Sequence, residues 1–118
     1  MGGGETGGTA GGFGAGNVGR GLLGQVFSQA GLEVVFVDLD DTLIAALAGE
    51  RCYRHITVDN DSRVERVIEP VTAISARDAA AVREALAGAR VAATCVGVRA
   101  LPAVCAGIAP ALLARTEA

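Results

Sequence analysis

Apolar residues recur along the chain in blocks whose spacing switches between the helical and the extended period. From Asn17 the period is helical: Val18, Leu22, Leu23, Val26, Phe27 and Ala30 fall on one face, and Gly31 stands where a C-terminal cap belongs. Glu33-Val34-Val35-Phe36-Val37-Asp38 is then a short β-branched run, the signature of a strand buried on both faces. Thr42 is placed to cap a second helix that carries Leu43, Ile44 and Leu47 and stops near Gly49. Tyr53 to Val58 and Val64 to Val71 read as two strands joined by the polar turn Asp59-Asn60-Asp61-Ser62, a hairpin insertion. Ser75-Ala76-Arg77-Asp78 resembles a capping box with Asp in place of Glu, and it opens a helix with Val82 and Leu86 on its apolar face that Gly88 ends. Arg90 to Val96 is a further buried strand, Gly97 turns the chain, and Pro102 suits the first turn of a last helix. No internal repeat is visible. Strands alternating with helices predict an α/β domain.

The first twelve residues do not fit this rhythm. They hold seven glycines and few side chains able to pack, and read as a flexible leader over 1–12 ahead of a domain spanning 13–118. Only Thr9, Ala10 and Phe13 are available for a strand there, so a weak or damaged first strand is expected. With 118 residues the chain has room for one core and little more. It is 51% apolar but 3% aromatic, with a mean hydropathy of +0.43, so the core must be built from Ala, Val, Leu and Ile. A net charge of −3 with scattered arginines offers no cationic surface for a polyanionic backbone, which argues against nucleic acid as a partner. The longest stretch without a charge, Ala100 to Ala114, is short and carries Pro102 and Pro110, which argues against a membrane. Cys52, Cys95 and Cys105 are odd in number, widely spaced and in apolar surroundings, so buried reduced thiols and a cytoplasmic location are expected, with no metal site.

Candidate chemistry begins at Gly14-Ala15-Gly16-Asn17-Val18-Gly19. A pyrophosphate needs close backbone N–H donors and a favourable potential, and the start of a helix supplies both. Gly14 would allow the tight turn out of a strand, Gly16 the close approach of the phosphates, and Gly19 close packing of helix on strand. A glycine pattern alone is weak in a chain with 17 glycines. Here an amphipathic helix follows, then a buried strand, then an acid 19 residues after Gly19. Together these predict a Rossmann-type, doubly wound and mostly parallel sheet with a β-hairpin insertion, binding NAD. Asp38 would accept hydrogen bonds from both adenosine ribose hydroxyls and repel a 2′-phosphate, which favours NAD over NADP. Asp40 and Asp41 either deepen that negative field or solvate a helix start, the latter role fitting Asp41 better. Val96 and Gly97, at the end of the later strand, would line the cofactor, whereas Cys95 reads as a core thiol. The cofactor-binding set is thus Gly14, Ala15, Gly16, Asn17, Val18, Gly19, Asp38, Val96 and Gly97, with no catalytic residue assigned.

Phe13-Gly14-Ala15-Gly16-Asn17-Val18-Gly19-Arg20-Gly21 resembles the opening of mannitol-1-phosphate 5-dehydrogenases and related long-chain polyol dehydrogenases. The likeness continues through Val37-Asp38, Tyr53, the hairpin, Val71-Thr72-Ala73-Ile74-Ser75, Ala93-Thr94-Cys95-Val96-Gly97 and Ile108-Ala109-Pro110, covering about residues 13–115. Asn17 and Arg20-Gly21 make it more specific than the glycine fingerprint. The resemblance implies NAD-dependent hydride transfer between mannitol 1-phosphate, or mannitol, and fructose 6-phosphate, or fructose. It also implies a catalytic lysine in a C-terminal substrate domain, and this sequence has neither that domain nor any lysine. The chain alone is therefore expected to be inactive. The rivals are a non-catalytic NAD(H)-binding or sensing module and the NAD domain of another dehydrogenase family.

The remaining polar residues ask for little. His55, the only histidine, is expected at a surface or edge of the hairpin, and Tyr53 is expected to pack. Arg20 either neutralises a phosphate or projects to solvent. Arg63, Glu65, Arg66 and Glu69 alternate as a solvated strand face should.

Overall fold

The structure is a computed structural model and describes residues 8–16, 18–96, 99 and 101–117. Six strands and four helices alternate along it. Strand β1 is Thr9–Phe13, followed by a π-helical turn, Gly19–Leu23, that runs into α1, Gly24–Gln29. Then come β2, Glu33–Asp38; α2, Asp41–Glu50; the hairpin β3, Tyr53–Val58, and β4, Arg63–Ile68; β5, Val71–Ser75; α3, Ala79–Gly88; β6, Ala89–Thr94; and α4, Leu101–Glu117. The main sheet has the order β5-β2-β1-β6 and is parallel throughout, while β3 and β4 form a separate antiparallel ribbon. Apolar clusters lie on both faces of the sheet. One gathers Ala10, Val34, Phe36, Phe27, Leu47 and Ile68; the other gathers Phe13, Val37, Val82 and Leu86. This is the expected doubly wound α/β architecture with its hairpin insertion.

The glycine-rich start is where structure and expectation part. Residues 9–12, assigned to the leader, belong to the central strand, and Ala10 to Phe13 are all buried. The reason is cross-strand packing. Gly12 pairs with Phe36 of β2, and a Cβ on Gly12 would lie 3.2 Å from the Phe36 ring, so the missing side chain is the space the aromatic fills. Phe36 in turn meets Tyr53 of the hairpin at a ring-centroid distance of 6.2 Å.

Other departures have equally local causes. The first helix buries Gly19, Gly24 and Phe27, whereas Val18, Leu22 and Val26, expected on the inner face, are 63%, 56% and 52% exposed, and Ala30 is exposed too. Of the expected face, Phe27 is in the core and Leu23 packs against it. Two of the inward positions are glycines, which carry no hydrophobic signal, so the visible apolar stripe was displaced round the axis. The second helix is capped by Asp40, whose Oδ1 accepts from the N–H of Thr42 at 3.1 Å and of Leu43 at 3.2 Å, and not by Thr42. The third is capped by Asp78 and not by Ser75: Asp78 accepts from Ala81 N–H at 3.1 Å, while Ser75 Oγ only holds Arg77 N–H in a turn. The expected second hairpin strand, Val64 to Val71, is two strands. Pro70 has no N–H for a ladder, and Val71 begins β5, which pairs with β2. Strand β6 lies at the sheet edge and is largely exposed, not buried. Cys52 and Cys95 are half-buried free thiols, as is fitting for packing cysteines, but Cys105 is exposed.

Phe36 is fully buried at the junction of β1, β2 and the hairpin. Truncation in Phe36→Ala is expected to cost about 3–5 kcal/mol, a large part of a typical domain's stability. Denaturant unfolding followed by circular dichroism checks this; a loss below about 1 kcal/mol would contradict the packing described.

Candidate functional site

The carboxyl ends of β1 and β2 are locked together by the first turn. Gly14 N–H donates to Val37 O at 2.9 Å on one side, and Cys95 N–H donates to Phe13 O at 2.6 Å on the other. Gly14 then takes a φ of +101°, a left-handed conformation open to glycine at little cost. A Cβ there would also strike the Cys95 carbonyl, and a Cβ on Gly19 would strike the carbonyl of Gly14. The helix start therefore lies directly against the turn only because both positions lack side chains. Gly16 is different: it is exposed and a Cβ would meet nothing within 4 Å. Its open face is room outside the fold.

Asp38 closes the arrangement. Its Oδ2 accepts the N–H of Ala15 at 2.7 Å, and its Oδ1 accepts those of Leu39 at 2.7 Å and Asp40 at 3.0 Å. Its own carbonyl accepts Ala76 N–H at 2.9 Å, which draws the loop after β5 to the same place. Burial pushes the Asp38 carboxyl up, but the three backbone donors and then the charge of Arg20 outweigh it and hold it below the ordinary 3.8. Arg77 ties this loop to the one after β2, reaching Leu39 O at 3.3 Å and Asp41 at 3.6 Å.

Beside this carboxylate opens a cleft of about 360 Å³ at the carboxyl end of the sheet, where ligands of such folds sit. Its walls are mostly apolar and include Gly14, Val37, Asp38, Leu39, Val82 and Val96. Of the expected binding residues, the structure thus brings Gly14, Asp38 and Val96 to one cleft and sets Gly19 under the turn. Ala15 is buried with its N–H spent on Asp38, and the Val18 side chain is exposed. Asn17 and Gly97 lie outside the described residues. Asp40 turns out to be a helix cap and Asp41 an exposed first-turn acid.

Leu39, Ala76 and Arg77 were not singled out from sequence. Recognising Val71–Ser75 as a parallel strand, with Pro70 as its break, would have placed the loop that follows it at this mouth. Among the described residues no group of three or more His, Cys, Asp or Glu could hold a metal ion, and no helix is long and apolar enough to cross a membrane.

Two outcomes follow from the geometry. Gly19→Ala forces the helix off the turn and is expected to lower the melting temperature well below that of Gly16→Ala, whose new methyl meets only open space; equal losses would contradict the packing. For Asp38 the folded-state pKa is depressed, so its stabilisation is complete above 3.8 and drains away as pH falls through the lower folded value. Asp38→Asn should therefore be less stable than the native chain near neutral pH. The gap should narrow below pH 3.8, as measured by urea unfolding across the acid range.

The model of the mannitol dehydrogenase Rossmann domain matches residues 10–118. Among curated proteins the chain is 41% identical over 103 residues to the mannitol-1-phosphate 5-dehydrogenase of Brevibacillus brevis, covering 87% of this chain and 26% of that protein. It is 39% identical over 104 residues to the enzyme of that name from Geobacillus stearothermophilus, covering 87% and 27%. To the one from Enterococcus faecalis it is 36% identical over 115 residues, covering 90% and 28%. The chain thus spans about a quarter of the length of these relatives. A fold, a glycine turn and an acid at the end of β2 that suit a nucleotide cofactor coincide with this match, and the chain belongs to the mannitol dehydrogenase family, of which it carries the Rossmann domain.

Proposed function

We propose that the chain is the NAD(H)-binding domain of a cytoplasmic polyol dehydrogenase that interconverts mannitol 1-phosphate, or mannitol, and fructose 6-phosphate, or fructose; mannitol 1-phosphate is the compound in its relatives' names. The observation that carries the cofactor choice is the Asp38 carboxylate, kept ionised by three backbone N–H groups at the rim of the apolar cleft. A fixed negative charge there accepts a ribose hydroxyl and opposes a 2′-phosphate. A carboxylate has about four acceptor directions, and three are already taken. Asp38 Oδ2 therefore has a place for one ribose hydroxyl, and the second is reached only if the longer Asp40 contact yields. The apolar walls at Val37, Leu39, Val82 and Val96 suit a flat heteroaromatic base, and the exposed backbone at Gly16 suits the pyrophosphate. Gly14, Ala15, Asn17, Val18, Gly19 and Gly97 complete the proposed binding set, Ala15 acting through Asp38.

Bound NAD supplies the hydride acceptor. These residues bind and orient it and provide no base for the alcohol proton, since the sequence contains no lysine and its histidine lies in the hairpin. Hydride transfer is proposed to require the part of the relatives' length that this chain does not span.

Isothermal titration calorimetry tests the cofactor reading. NADH is expected to bind more tightly than NADPH, and Asp38→Ala to weaken NADH by about tenfold or more while affecting NADPH less. Absence of NADH binding, or a preference for NADPH, would overturn it. Assay of the chain alone with NADH and fructose 6-phosphate is expected to show no turnover.

A further inference from the structure

A second cavity, of about 330 Å³, lies away from the cleft, between the π-helical turn and the hairpin. It is lined by Arg20, Gly21, Tyr53, Arg54, His55 and Ile56, with no carboxylate among them. The alternation of β3 puts Tyr53 and His55 on the inner face, half-buried, and Arg54 and Ile56 on the outer. In the hairpin register Arg66 stands directly opposite His55, so their side chains share that inner face. Glu65 stands opposite Ile56 and is paired at 3.1 Å with Arg54, itself a lining residue. Arg20 and Arg54 bring two guanidinium groups to the cavity lining, the second paired with Glu65.

A side-chain contact holds the hairpin on the turn. Tyr53 Oη donates to the Arg20 carbonyl at 2.5 Å, and burial pushes the phenol up to about 12, so it remains a donor throughout the ordinary pH range. At Gly21 the missing side chain leaves a gap: a Cβ there would lie 3.4 Å from His55 Nε2. The ring's other nitrogen, Nδ1, is buried with no hydrogen-bond partner among the described residues. An orphan polar atom of this kind marks a place where a water or ligand belongs. The wall itself is a π-helical turn, an irregularity frequent at functional sites.

We propose that this cavity is an anion subsite that receives the phosphate group of a small phosphomonoester, with Arg20 and His55 as its donors. Guanidinium and imidazole together match a tetrahedral oxyanion with several acceptors. The volume lies at the low end for small-molecule sites, with space for a short carbon chain beyond the phosphate. That the ester is a polyol phosphate rests on the function proposed above; the anion site rests on the cavity alone.

The chain has one histidine, so the ring C–H signals of His55 are an isolated reporter in a carbon-edited NMR spectrum. The chain is titrated without nucleotide, at fixed pH and with chloride holding the ionic strength, using inorganic phosphate, mannitol 1-phosphate, mannitol and NADP+ in separate arms. Phosphate and mannitol 1-phosphate are expected to shift His55 saturably, the ester more tightly, and mannitol to leave it unmoved. Arg20→Gln is expected to weaken the response about tenfold or more. Gly21→Ala, which favours the helix while narrowing the gap beside Nε2, is expected to weaken it in a folded protein. No response to either phosphate compound, or an undiminished response in both variants, would overturn the site. A response to NADP+ but not to mannitol 1-phosphate would overturn the polyol assignment and give the subsite to the dinucleotide. NADH calorimetry reads the other site, so loss of NADH binding with His55 still responding would sink the cofactor reading alone.

Discussion

The hydrogen bond from Ala15 N–H to the Asp38 carboxylate joins two segments 23 residues apart, and much of the molecule is arranged so that it can form. It requires β1 and β2 to end level, which their register provides by pairing Phe13 with Val37. It requires the chain to reverse out of β1 within one residue, which Gly14 does. The loop after β5 is then drawn in by Ala76 and braced by Arg77, so that three strand ends and a helix start meet around one ionised oxygen pair. Its hydrogen bonds set the geometry and, by stabilising the charged form, keep the charge in place.

Bringing the strand ends level places a demand on the strand that carries the turn. Strand β1 is central, so helices crowd it from both faces, and large side chains on it would hold them away. Gly12 admits the Phe36 ring from one side, while Gly11 faces Ala92 and Leu86 on the other. The aromatic ring thus supplies from β2 the apolar area that β1 lacks. A strand without side chains is weak in isolation and sound where its neighbours fill the space. The same exchange recurs where Gly24 of the first helix lies beneath the Tyr53 hydroxyl.

This exchange explains which features were legible in the sequence. Strand β2 and Asp38 could be read because Val34 to Val37 present their own burial, and the glycine turn could be read because its spacing is fixed by phosphate geometry. The first strand and the inner face of the first helix could not. Their buried positions include Gly11, Gly12, Gly19 and Gly24, and at Gly11, Gly12 and Gly24 the side chains that cover them come from other elements. Strand β5 was hidden differently: Val67-Ile68 and Val71 look continuous until Pro70 is allowed to divide them. At two helix starts an aspartate took the cap in place of the expected hydroxyl, Asp40 instead of Thr42 and Asp78 instead of Ser75. Periodicity sees side chains, and this site is built largely where they are absent.

Arg20 stands between the two cavities, and its charge is felt by both Asp38 and Tyr53. An anion held at the hairpin would draw on that charge, and the question is whether Asp38 would then lose its ionisation. The order of causes decides it. Against burial, the N–H groups of Ala15, Asp40 and Leu39 each do more for the carboxylate than Arg20 does. Those donors belong to the turn and the loop and remain when the guanidinium is engaged elsewhere. The Asp38 charge is therefore set by backbone geometry, and a change in the surroundings of the arginine would leave its character unaltered. Hairpin and turn are joined mechanically through the Tyr53 contact to the Arg20 carbonyl and only weakly through charge.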